Sequence, residues 1–215
     1  MPVNKWYNKG KGEGVIMLSA MRPDFSKTYS YADYLRWSEG ERVELIDGFP
    51  YFMTPAPSRL HQQILLELGT QFHTQLKGHP CEAYVAPFDV RLAEDEDASD
   101  DDVFTVVQPD IVVVCDQNKL DKRGCNGVPD LVIEIISPST ASHDYIRKME
   151  LYETFGVKEY WIVQPTDQVV MVFKHNQQSF DKPTFYDKES TIEPGVISGV
   201  EIQLADVFID DSKID

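Results

Sequence analysis

The sequence predicts a single α/β (α+β) domain in which a mixed sheet is flanked by helices. Three observations predict it. Two consecutive apolar runs near the centre, QPDIVVVCD (Gln108 to Asp116) and PDLVIEIIS (Pro129 to Ser137), have the length and β-branched content of buried strands. Two other segments carry helical spacing: Leu60, Ile64, Leu68 and Phe72 recur every fourth residue, and Tyr145, Met149 and Tyr152 stand at i, i+4 and i+7. Strands and helices interleave without a repeat or a change of composition, and 215 residues are enough for one packed core.

The elements follow in order. Residues 1–27, with Lys, Gly and Asn and little periodicity, are expected to form an N-terminal arm, leaving 28–215 as the domain. Ser30 can cap a short helix over Tyr31 to Trp37, with Asp33 completing a capping box. In RVELIDGFPYFM (Arg42 to Met53), Asp47-Gly48 between apolar runs predicts a hairpin. TPAPS (Thr54 to Ser58) is a breaker, and a helix from Arg59 to Leu76 ends at Gly78 and Pro80. EAYVAPFDVRL (Glu82 to Leu92) alternates like one strand, interrupted at Pro87 by a bulge or an edge. The run EDEDASDDD (Glu94 to Asp102) reads as a solvated loop, without the spacing and glycine of an EF-hand. The two central strands come next, joined by a connection holding Gly124 and Gly127. A helix over 144–155 then stops at Gly156. EYWIVQP and QVVMVFKH pair as a hairpin across Thr166-Asp167, and GVEIQLADVF supplies a last strand and turn.

Composition narrows the function. No stretch approaches the roughly 18 apolar residues of a membrane span, so no membrane partner is expected. The N-terminus lacks the apolar core of a signal peptide. Cys81, Cys115 and Cys125 are an odd count without metal-ligand spacing. Cys115, inside a predicted strand, is expected to be a buried free thiol in a reduced, cytoplasmic protein. A net charge of −16 opposes simple binding to nucleic acid, although dispersed acidity leaves room for a local basic groove. Nucleotide hydrolysis is not indicated, because no GxxxxGK[ST] loop is present.

Three residues carry the chemistry: Asp110, Glu134 and Lys148. A carboxylate inside an apolar strand costs several kcal/mol unless a cation or several donors satisfy it. Strand alternation puts Asp130, Val132, Glu134 and Ile136 on one face, so Glu134 is the ionisable group at the middle of an apolar element. Asp110 enters at the start of its strand, and the two acids converge if the strands are neighbours in suitable register. Hard oxygens of this kind suit Mg²⁺ or Mn²⁺ with retained waters. Lys148 shares its helical face with Tyr145, Met149 and Tyr152, where a lysine must snorkel or find a partner. Facing two carboxylates, it could orient an attacking water, which is the chemistry of phosphodiester hydrolysis. The bland rivals are a strand-entering Asp110 and a metal-free Glu134–Lys148 ion pair. Glu44 in VELIDG and His61 on the first long helix are weaker candidates, and Asp89 in FDVRL carries the same caution as Glu44.

ERVELIDGFPYFMTPAPSRLHQQI, PCEAYVAPFDVRL, VVQPDIVVVCD and above all GVPDLVIEIISPSTASHDYIRKMELYETFGVKEYWIV resemble the Uma-two family of bacterial restriction endonucleases, from about Tyr31 to Phe173. The family is placed in the PD-(D/E)XK nuclease superfamily. The resemblance implies a restriction-endonuclease-like αβββαβ core, a Mg²⁺-dependent endodeoxyribonuclease activity and a DNA substrate. A homodimer is common among enzymes of this kind that cut both strands. It maps the superfamily's two acids to Asp110 and Glu134, and the main-chain carbonyl that completes metal binding to Ile135. The usual strand lysine is absent, since position 136 is Ile136, and Lys148 looks like its replacement from the helix. The alternative is a nuclease-fold binding or regulatory module without catalysis. A third reading is a protein that docks partners through its acidic loop.

Overall fold

The computed structural model describes residues 23–37, 43–53, 57–93, 95, 97–137 and 141–208, of which 141–145 by their backbone. Most of the expected N-terminal arm therefore lies outside the described residues. In chain order the elements are α1 (Tyr31–Tyr34), β1 (Val43–Ile46), β2 (Phe49–Phe52), α2 (Arg59–Gln75), β3 (Glu82–Val85), β4 (Val90–Leu92), β5 (Thr105–Val107) and β6 (Ile111–Val114). A 3₁₀ turn (Gln117–Lys119), β7 (Leu120–Asp121), β8 (Gly124–Asn126), β9 (Leu131–Ile135) and α3 (Ala141–Thr154) follow. The chain closes with β10 (Glu159–Gln164), β11 (Val169–Lys174), β12 (Thr184–Asp187), β13 (Thr191–Ile192), β14 (Ile202–Gln203) and α4 (Leu204–Val207).

The central sheet has the order β12-β11-β10-β9-β6-β3. β3, β6 and β9 form an antiparallel meander, and β10 joins β9 in parallel after α3 crosses over. Preceded by α2, this is the αβββαβ order the resemblance implied. A parallel neighbour needs a crossover of about a dozen residues, which α3 supplies. β9 is buried on both faces. Leu131, Ile133 and Ile135 pack with Ile64, Leu68 and Phe72 of α2, while Val132 and Ile136 pack with Leu151 and Tyr152 of α3.

A second sheet, β2-β1-β5-β4-β8-β7, was not foreseen as separate. The run 82–92, expected as one interrupted strand, is two strands in two sheets: β3 in the central sheet and β4 in the second. The chain turns between them at the cis Ala86-Pro87 bond. Pro87 has no N–H to donate, so a ladder cannot continue through it. The connection between the central strands is likewise structured, as β7 and β8. Gly124, at φ +128°, lies so close to that chain turn that a Cβ would stand 2.2 Å from the Asp89 carbonyl oxygen. The β1–β2 hairpin turns at Asp47 (φ +52°) and Gly48 (φ +79°), the two left-handed residues of the expected tight turn.

One expectation fails on chemistry. Cys115 is not a free thiol: it is bonded to Cys81, and Cys125 is the buried free cysteine. The pair continues the β3–β6 register one step beyond Glu82↔Val114, so strand pairing brings together two cysteines 34 residues apart. That proximity is invisible in spacing alone. No helix among the described residues is long and apolar enough to cross a membrane.

Candidate active site

The β6–β9 register sets the geometry. Ile111 pairs with Ile133 and Val112 with Val132, so the next step places Asp110 across from Glu134. Asp110 is anchored there by the Ile135 N–H, which donates to its Oδ2 at 2.7 Å. The two acids thus sit at one end of the meander, on the strand pair predicted to bring them together.

Each acid meets a nitrogen from a different helix. Lys148 Nζ on α3 lies 3.0 Å from Glu134 Oε1 and 3.1 Å from Glu44 Oε1, with all three side chains at least nine-tenths buried. The Tyr152 hydroxyl, one helical turn on, donates to Glu134 Oε1 at 2.8 Å. His61 on α2 places Nε2 3.2 Å from Asp110 Oδ2. Its helix starts where the Ser58 side chain accepts the His61 N–H at 3.2 Å, a cap that fixes the first turn and aims the imidazole. His61 Nδ1 is buried and has no hydrogen-bond partner among the described residues.

Glu44 arrives from β1, in the other sheet. Its Oε1 also accepts the Gln108 N–H at 2.9 Å, two residues before Asp110. One carboxylate oxygen therefore ties the second sheet to both the lysine and the approach to Asp110. Both weaker candidates, Glu44 and His61, join the cluster. Asp89 does not: it takes hydrogen bonds from Gln108 and from the hydroxyls of Tyr31 and Tyr34. Asp130 is also structural, accepting the Cys115 N–H and pairing with Lys158 at 2.6 Å. The sequence reading missed Tyr152 and Gln108. Tyr152 was legible only as a core residue at i+4 from Lys148, and the Gln108 contact is made by its main chain, which no residue type signals.

The electrostatics follow from burial. Burial pushes the Glu134 carboxyl up to about 7; Lys148 opposes this, and the charges of Asp110 and Glu44 add to it. Burial also raises the Tyr152 hydroxyl, with Glu134 and Glu44 reinforcing it. For His61, burial acts to lower the imidazole, but the hydrogen bond and charge of Asp110, then Glu134, outweigh it and the net shift is upward. The cluster is therefore an acid-rich site compensated by protein cations. A divalent cation could provide the same compensation. Among the described residues no three Asp, Glu, His or Cys side chains are gathered closely enough to hold a metal alone. Asp110, Glu134 and the Ile135 carbonyl are the hard oxygens that could contribute to a Mg²⁺ site completed by water.

Shape points elsewhere. A cleft of about 600 Å³ is lined by Asp47, Asp95, Asp97, Asp102, Phe104 and Phe155 among others, and by none of the six clustered side chains. Its carboxylates would repel a phosphodiester, so chemistry rather than concavity marks the site.

The model of a family described as "Putative restriction endonuclease" matches residues 31–205. A protein of Synechocystis sp. (strain ATCC 27184 / PCC 6803 / Kazusa), named "Uncharacterized protein slr1290", is 29% identical over 147 residues, covering 67% of this chain and 73% of its own. The crystal structure of "a putative nuclease belonging to DUF820" from Anabaena variabilis has a TM-score of 0.65 at 20% identity, covering 83% of this chain and 97% of that one. At that identity the likeness is one of fold.

Proposed function

The chain belongs to the Uma2 family, and from that premise we propose that it is a metal-dependent endonuclease hydrolysing DNA phosphodiester bonds within a single domain over 28–215. The observation that supports this reading best is the cross-strand placement of Asp110 and Glu134 with a buried lysine 3.0 Å from the latter. Such a pairing has no equivalent need in a purely structural core, where an apolar replacement packs as well or better.

Asp110, Glu134 and the Ile135 carbonyl would hold Mg²⁺ (or Mn²⁺). Held there, the ion would supply Lewis-acid polarisation of the scissile phosphodiester and a water of lowered pKa. The protein's own groups do the rest. Lys148 orients the attacking water and offsets negative charge developing on the phosphoryl oxygens. Glu44, at 3.1 Å, retains the ammonium when Glu134 turns to other partners. Tyr152 and His61 fix the orientation of Glu134 and Asp110 through their hydrogen bonds.

Calorimetric titration with Mn²⁺ tests the reading without knowledge of the substrate. Glu134→Ala is expected to lower affinity by roughly tenfold or more, with circular dichroism confirming that the fold persists. Equal affinity in mutant and wild type would remove the assignment. A second reading, a non-catalytic nuclease-fold module, is favoured by the pairing of Lys148 with both Glu134 and Glu44, which compensates the buried carboxylates from within the protein. Absence of Mn²⁺ binding in the wild type would select it.

A further inference from the structure

A molecule of net charge −16 must receive a phosphate backbone through local positive groups. With so many carboxylates available, most arginines are expected to be neutralised already. Three of the five described arginines are: Arg36 pairs with Asp33 at 3.4 Å, Arg91 with Asp121 at 2.8 Å and Arg123 with Asp100 at 2.6 Å. Among the described residues, Arg59 and Arg147 have no carboxylate partner, and both are exposed. Each lies within two residues of a member of the candidate site. Arg59 opens α2, two residues before His61, and Arg147 immediately precedes Lys148 on α3.

Arg147 is also preorganised. Its guanidinium carbon stands 4.6 Å from the ring centroid of Tyr51, and Tyr51 is the cross-strand partner of Glu44. Stacking uses the flat face of a guanidinium, while its N–H donors lie on the rim in the plane of the fork. An arginine held in this way loses less side-chain entropy when its rim takes a phosphate bidentately. Its position is set by α3, which also carries Lys148, and by β2, the hairpin partner of the strand that carries Glu44.

We infer that Arg147, seated on Tyr51, and Arg59 grip the phosphates on either side of the scissile bond of a DNA strand. The inference rests on the nuclease reading of the site and adds the residues that hold its substrate. The two arms come from the helices on opposite faces of the central sheet, so the strand would cross the end of the meander where Asp110 and Glu134 meet. A structural role for the stacked arginine would show in stability and not in the salt dependence of DNA binding.

The test is fluorescence anisotropy of the full chain with a labelled DNA duplex, in Ca²⁺ to suppress cleavage, across a series of salt concentrations. Arg59→Ala and Arg147→Ala are each expected to weaken binding several-fold. Each should flatten the slope of log K against log salt by about 0.9. Arg36→Ala, at an ion-paired arginine, is the control and should change neither. Unchanged slopes in both site variants would overturn the inference, as would the absence of DNA binding by the wild type. Mn²⁺ calorimetry on the same proteins separates the two readings. Metal bound without arginine-dependent DNA binding refutes the grip and leaves the metal site standing. Arginine-dependent DNA binding without metal supports the grip and refutes the catalytic reading.

Discussion

Glu134 shows at single-residue scale how function and stability oppose each other in this protein. Its carboxyl is raised to about 7 from the ordinary glutamate value of 4.5, chiefly by burial. Between those values the native state holds a proton that the unfolded chain has released. The stability this group contributes is therefore full below about pH 4.5 and is lost as pH rises through 7. Glu134→Gln removes that loss while Glu44 still pairs Lys148, so the variant should gain melting temperature over the wild type at pH 8 and little at pH 5. Thermal unfolding at the two pH values checks this, and an equal difference at both would contradict it. The same variant should bind Mn²⁺ weakly, since a neutral amide replaces a charged ligand.

At the scale of elements, the site depends on how α2 begins. Ser58 caps the turn that carries His61, and Ser58→Ala should cost about 1 kcal/mol by chemical denaturation. The helix would survive, because Ile64, Leu68 and Phe72 are fully buried against the central sheet. A second element-level prediction concerns β3 and β6, which the Cys81–Cys115 bond crosslinks. Unreduced protein in denaturant should titrate one thiol, Cys125, and three after reduction. Three without reductant would contradict the crosslink. Element assignment was largely legible: the β1–β2 hairpin, α2, the two central strands, α3 and the β10–β11 hairpin all follow from periodicity and turn residues. Where Pro87 interrupts 82–92, local alternation could not say that the chain changes sheets, because sheet membership is decided by pairing with distant strands.

For the whole molecule, charge decides how a phosphodiester could approach. Exposed carboxylates such as Asp97 and Asp101 lie on the acidic loop. Converting both to Asn should speed DNA association at low ionic strength, with the gain fading as the Debye length contracts to about 8 Å at physiological salt. Stopped-flow association rates measure it, and a rate unaffected at low salt would contradict long-range repulsion.

Residue order and pattern were enough to indicate the αβββαβ succession, the buried placement of Glu134 and the outlying lysine on α3, because periodicity and burial are local properties of a run. Partnership is not local. That Asp110 stands opposite Glu134 depends on strand register, and that Lys148 meets Glu44 as well depends on a second sheet folding over the first. The Tyr152 hydroxyl, the Gln108 N–H and the Cys81–Cys115 bond likewise join positions through pairing and packing. Their energies exist only once chain segments far apart in sequence have been brought within hydrogen-bonding or bonding distance, and tertiary structure alone brings them there.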